Sequence, residues 1–242
     1  MSSSGHLALV PGLFGWDYEG LDPELRKAFE VALHAGTAAA LAIALRDEVA
    51  EVVRSLDARR IAGVALTFAP AALVAAVFER AIEERLGSAR SVALAQLVAG
   101  VALALADLTA AERPYAAAGM LDHLVIGCGQ AAALIPGVSR NGATLTAARL
   151  LRFERRAASV LSRHAALPVI AGATALKGMR LAKRGLAPEL RGPFLAGAAA
   201  AFASTLASRR LIGVMDRARS YRPFAAYRVA LGAAALSGLR AR

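Results

Sequence analysis

The chain has 242 residues, 57% of them hydrophobic and 5% aromatic, with a formal net charge of +11 at pH 7. A soluble domain is usually about 45–50% apolar, and the excess here comes in blocks rather than amphipathic stripes, which excludes an ordinary soluble globule. Lys and Arg flank nearly every apolar block instead of gathering on one face between aromatics, which excludes a nucleic-acid surface and favours anionic lipid.

In chain order, residues 1–16 read as a polar start, Ser2-Ser3-Ser4-Gly5-His6, and an apolar stretch at 7–16. That stretch is too short to cross a bilayer, which takes about 20 residues. A charged loop at 17–27 precedes a first span at 28–45. A hydrophilic connection at 46–60 leads to a second span at 61–78, kinked at Pro70. Charged residues 79–90 separate it from a third span at 91–108. Residues 116–135 are apolar but carry Asp122, His123, Gln130 and the single cysteine, Cys128, which leaves no internal disulfide. Residues 136–144 form a polar break, and helix is expected to resume at Leu145 for a short stretch, 145–151. Residues 157–176 are apolar apart from Arg163, His164 and Pro168; 177–191 reads as a basic loop. Spans at 194–206 and 224–239 complete an all-α polytopic membrane protein of about six or seven full spans and two half-spans. One membrane domain, 1–242, is expected, divided into halves at about 1–110 and 111–242.

The polar break is Pro136-Gly137-Val138-Ser139-Arg140-Asn141-Gly142-Ala143-Thr144. Pro136 and Gly137 interrupt helix, Ser139, Arg140, Asn141 and Thr144 supply donors, and Gly142 lets backbone N–H groups approach a ligand. Such donors at a helix start make an anion site suited to phosphate, and an arginine at membrane depth is a functional-site hypothesis by default. The opening Ser2-Ser3-Ser4-Gly5-His6-Leu7 lies in register with Ser139-Arg140-Asn141-Gly142-Ala143-Thr144, matching serine and glycine. Two interrupted segments in corresponding places of two halves point to a site at a repeat interface. The three spans between them, an odd number, make the repeat inverted.

Residues 129–144 (GQAAALIPGVSRNGAT) resemble a signature of the undecaprenyl-diphosphate phosphatases, the bacitracin-resistance family, written PGxSRSxxT. The opening SSSGHL resembles that family's serine-rich stretch, and residues 29–37, 166–173 and 227–232 are similar as well. The resemblance implies an integral membrane enzyme with inverted repeats and two re-entrant segments meeting in a pocket. Its implied reaction converts undecaprenyl diphosphate to the monophosphate and inorganic phosphate, recycling the carrier lipid for cell-wall synthesis and conferring bacitracin resistance. It also implies a bacterial inner membrane, an outward-facing pocket, a polyprenyl diphosphate and membrane lipids as partners, and no nucleic acid. A homodimer is compatible with it. Site residues carried over are His6, as nucleophile or acid/base, with Ser2 and Ser3 as pocket hydroxyls, one serine being the alternative nucleophile, and Ser139, Arg140 and Thr144 of the second signature. Gly137, Asn141 and Gly142 are carried over as phosphate binders. His34, His123 and His164 read as packing or interhelical hydrogen-bonding residues.

Two departures matter. Asn141 stands where the family has serine, and its amide still donates. The family's divalent-cation glutamates, in a motif directly before the serine stretch, have no counterpart after Met1. The resemblance therefore implies a Mg2+ or Ca2+ requirement for which this chain offers no ligand, a start assigned downstream of the true one, and weak or no activity as given. A transporter or flippase, or a non-catalytic lipid-phosphate-binding protein, is the alternative, because broken helices in inverted repeats also mark transporters.

Overall fold

The computed structural model describes residues 2–16, 18, 20–184 and 187–240. Among them the protein is helical, with α1 (Ser3–Leu13), α2 (Pro23–Ala44), α3 (Arg46–Arg54), α4 (Ala58–Leu86), α5 (Ala89–Ala106) and α6 (Met120–Ala132) in the first part. The rest comprises α7 (Arg140–Leu150), α8 (Arg155–Arg184), α9 (Pro188–Ala207), α10 (Arg209–Asp216) and α11 (Arg222–Arg240). A single 3-10 turn, Tyr115–Ala117, precedes α6, and the only β pairing among the described residues is an isolated bridge between Arg113 and Phe153.

Several expected boundaries move, each for a local reason. Helix starts at Arg140 rather than Leu145, because Ser139 caps it and the polar break becomes its first turn. The hydrophilic connection at 46–60 contains α3, whose Asp47 and Glu48 in the first turn and Arg54 in the last complement the helix dipole. The basic loop at 177–191 is mostly the end of α8, since Leu, Met, Lys, Arg and Ala are good helix formers. Pro70 lies inside α4, which continues on both sides of it. Among the described residues three helices are long and apolar enough to cross a membrane: Glu24–Ala44, Ala58–Leu86 and Ala89–Ala106. That is fewer than the six or seven expected, because α8 carries repeated arginines and lysines and α11 is diluted by Gly, Ser, Pro and Arg. Apolar side chains face outward on α4 and α5, Leu73 being 67% exposed and Val98 62%. Exposed apolar surface on that scale suits lipid, not water.

The chain forms two compact units. One comprises residues 18–58 and 167–214, where α2 packs on α9. Small residues allow that approach: a Cβ at Gly36 would lie 2.1 Å from the Ala198 carbonyl oxygen, and Phe29 meets Phe194 edge to face at 5.4 Å. The other unit, residues 1–17, 59–166 and 215–242, is built around α5, with α11 along its length and α1 and α7 against it. Gly232 sits against the Ala93 carbonyl, and Gly127 on α6 against the Leu66 carbonyl of α4. The core of this unit is made by Leu103, Ile126, Leu145, Ala148, Phe153, Leu161 and Tyr221.

Beyond the C-terminal end of α5, Asp107 gathers polar groups from three other segments. Its carboxylate accepts from Arg155 Nε (2.7 Å), Ser220 Oγ (2.8 Å) and the Tyr221 amide (2.8 Å). Arg149, fully buried at the end of α7, lies 3.6 Å from the same carboxylate and donates to the carbonyls of Phe153 and Thr109. Tyr221 Oη donates to the Arg155 carbonyl at 2.7 Å. These bonds fix where α7 ends, and so where its N-terminal turn begins.

Candidate active site

Two half-length helices carry the sequence-identified residues. Each is 11 residues long, and each begins at a serine whose hydroxyl accepts from the amide of a glycine three residues on. At α1 the pair is Ser2 Oγ and Gly5 N (3.1 Å); at α7 it is Ser139 Oγ and Gly142 N (3.3 Å). The register inferred from the sequence, Ser2 on Ser139 and Gly5 on Gly142, is therefore also the register of the caps. Both N-termini rest on one stretch of α5. A Cβ at Gly5 would lie 2.7 Å from Gln96 Oε1, and one at Gly137 only 2.4 Å from the Val92 carbonyl oxygen.

The entry into α7 is a strained turn. Gly137 has φ +96° and Ser139 φ 60° with ψ 115°, the latter a conformation that costs about 1–3 kcal/mol in a non-glycine residue. It aims the first amides of α7, those of Arg140 and Asn141, out of the helix end, where no intrahelical acceptor exists. Gly137→Ala is expected to destabilise the protein by about 2–5 kcal/mol, from positive φ and overpacking together. Thermal unfolding in detergent measures it; an unchanged midpoint would refute the tight packing against Val92.

Arg140 is half-buried at the first position of α7, and its side chain has no hydrogen bond or ion pair among the described residues. A half-buried guanidinium without a counter-ion at a helix N-terminus has the chemistry to receive an anion. Thr144 and Asn141 serve the turn itself. Thr144 is fully buried, with Oγ1 bonded to the Arg140 carbonyl (2.9 Å) and 2.6 Å from Ser162 Oγ; Ser162 donates to Asn141 Oδ1 at 2.8 Å. Of the opening serines, Ser2 is buried with its hydroxyl used for capping and for a 3.2 Å contact with Ser4 Oγ, whereas Ser3 is exposed. His6 Nδ1 lies 2.5 Å from the Ser2 carbonyl oxygen and Nε2 2.8 Å from Tyr227 Oη.

Arg228 is the residue the sequence reading missed. It is 3% exposed, and its Nη2 donates to the carbonyls of Gly137 (3.1 Å) and Val138 (3.0 Å), bracing the strained turn. Its Nε and Nη1 have no partner among the described residues, and Nη1 lies 2.7 Å from where a Cβ on Gly142 would sit. The signal was present: an arginine inside an apolar span carries the same functional presumption as Arg140. Gln96, fully buried beside Gly5 with both amide atoms unpartnered among the described residues, was missed too, and nothing in its sequence context marks it. The other histidines bond or pack against nearby helix residues. His34 Nδ1 bonds the Glu30 carbonyl, His164 Nδ1 lies 3.0 Å from Tyr115 Oη, and His123 packs against Gly63.

Residues 1–234 match the protein family described as "Bacitracin resistance protein BacA". Among similar curated proteins is the undecaprenyl-diphosphatase of Pelobacter propionicus, 38% identical over 98% of this chain and 90% of that protein. Those of Geobacter sulfurreducens and Chromohalobacter salexigens are 38% and 36% identical, covering 100% and 96% of this chain and 93% and 89% of their own lengths.

Proposed function

The chain belongs to the bacitracin-resistance BacA family, and on that premise we propose that it removes the terminal phosphate of undecaprenyl diphosphate, recycling the carrier lipid. The observation that carries this reading for the chain's own residues is Arg140, a half-buried cation without a counter-ion on the first turn of a half-helix. The terminal phosphate meets the Arg140 guanidinium and the first amides of α7. Arg228, behind the turn, adds a second positive charge to a diphosphate headgroup whose apolar chain lies among the exposed leucines and valines. Charge developing on the phosphoryl oxygens and the bridging oxygen is stabilised by these donors, which are in place before reaction.

His6 supplies the proton or bond chemistry through Nε2, by either of two routes. As nucleophile it forms an N–P bond while the terminal P–O bridge breaks and the lipid monophosphate leaves; water then releases inorganic phosphate. As general base it takes a proton from the attacking water, and the same two products form in one step. Trapping of a phosphorylated histidine separates the routes. Ser2, Ser139 and Thr144 act by positioning: the serines cap the two half-helices and Thr144 ties the α7 turn to α8. Ser3, exposed beside His6, completes the hydroxyl-lined rim.

A divalent cation belongs to the proposal through the family resemblance alone. Among the described residues no group of three or more His, Cys, Asp or Glu is placed to hold one, and none of the steps above passes through an ion. The rest of the proposal is an inverted repeat with an outward-facing pocket in a bacterial inner membrane, and a homodimer as the assembly to test. The matching caps of α1 and α7 and the three apolar helices support the repeat and the membrane setting. The test is product analysis after the lipid diphosphate is given, in proteoliposomes with Mg2+ or Ca2+, to the purified chain extended by the glutamate motif that the family carries before its serine stretch. Lipid monophosphate and inorganic phosphate in equal amounts are expected; intact lipid diphosphate moved to the other leaflet would overturn the phosphatase in favour of a flippase.

A further inference from the structure

Two adjacent residues of α11 divide their attention between the two half-helices: Arg228 reaches the turn before α7, and Tyr227 reaches His6 on α1. The His6 ring is held from both sides. A carbonyl oxygen can only accept, so at 2.5 Å from Ser2 O the Nδ1 atom must carry the hydrogen. In the neutral imidazole Nε2 is then bare, and Tyr227 Oη, 2.8 Å away, donates its hydrogen there. The two rings also stack, 5.7 Å between centroids at 11°, which restrains rotation of the imidazole.

We propose that Tyr227 is a positioning residue that fixes His6 in its Nδ1–H form and aims the bare Nε2 at the phosphorus. Its functional half rests on the phosphatase reading above. The only imidazole lone pair that can attack phosphorus or take a proton is the one Tyr227 covers, so the hydroxyl must move aside as substrate arrives. Tyr227 is 43% exposed, which leaves the hydroxyl end room to swing without unpacking α11. In the resting protein the bond keeps the imidazole from turning over and presenting its N–H instead.

The experiment is 15N spectroscopy of the full chain labelled at histidine, with His6 assigned by its loss in His6→Gln. The expected wild-type spectrum has a protonated Nδ1 and an unprotonated, hydrogen-bonded Nε2. In Tyr227→Phe, which keeps the stacked ring, Nε2 moves to the position of an unbonded nitrogen. A protonated Nε2 in the wild type, or no change in Tyr227→Phe, would overturn the assignment. This readout needs no turnover, so it stands or falls apart from the phosphatase reading. For the reaction, Tyr227→Phe is expected to lower kcat about tenfold, the worth of one hydrogen bond, with KM nearly unchanged. It should have no further effect when His6 is already alanine. An equal loss in both backgrounds would mean that Tyr227 does not act through His6.

Discussion

Replacing Arg140 with alanine is expected to lower phosphate release from the lipid diphosphate by about 10²–10³-fold, the cost of removing one preorganised donor from a developing oxyanion. The protein should remain folded, since among the described residues the Arg140 side chain makes no bond whose loss would be felt. Lysine at this position restores charge but not the planar fork that grips two phosphoryl oxygens, so Arg140→Lys should recover only part of the rate. Steady-state phosphate release across the three proteins, with unfolding midpoints measured in the same detergent, checks both halves of the expectation. A rate within threefold of wild type in Arg140→Ala would remove Arg140 from the site.

The largest stability effect is expected at the opposite end of α7. Asp107→Ala leaves Arg149 buried with no counter-charge and strips acceptors from Arg155, Ser220 and the Tyr221 amide at once. Breaking a buried pair by removing one partner costs about 3–5 kcal/mol, enough to unfold a marginal protein. Asp107→Asn keeps an acceptor for the Tyr221 amide and should cost less. The same residue predicts an acid limb. Burial favours the neutral form of Asp107, but the bonds from Arg155, Ser220 and the Tyr221 amide outweigh it and hold the carboxyl below its ordinary value of 3.8. A carboxylate lowered by folding adds stability above its unfolded pKa that is lost as pH falls through the folded one. Wild type should therefore lose stability below about pH 3.8 more steeply than Asp107→Asn, and identical acid limbs would contradict the hub.

The half-helices were legible in the sequence because their defining features are local. A serine and a glycine three residues apart specify an N-cap wherever helix can follow, and the Ser2–Gly5 and Ser139–Gly142 registers came from spacing alone. The start of α7 was misread by five residues because Arg140 to Thr144 look like a loop when judged by polarity, whereas a capped first turn is normally polar. The end of α8 was misread for the same reason: charge was taken for loop among good helix formers. Tyr227 and Arg228 could not be connected to His6 and Gly137 from the chain, since the contacts join residues 221 and 91 positions apart. The Asp107 hub was equally hidden, because it assembles one carboxylate with Arg149, Arg155 and Ser220, none of which carries a local motif.

Cleavage of the terminal phosphate from a lipid diphosphate at the two half-helices is the reaction to test. Its most direct test is a single-turnover reaction in ¹⁸O-water, with protein in excess over polyprenyl diphosphate so that slow chemistry is still seen. One ¹⁸O atom is expected in the inorganic phosphate and none in the lipid monophosphate, with no product from His6→Ala or Arg140→Ala on the same timescale. Label in the lipid monophosphate, or no phosphate released by folded protein that also carries the family's glutamate motif, would contradict it.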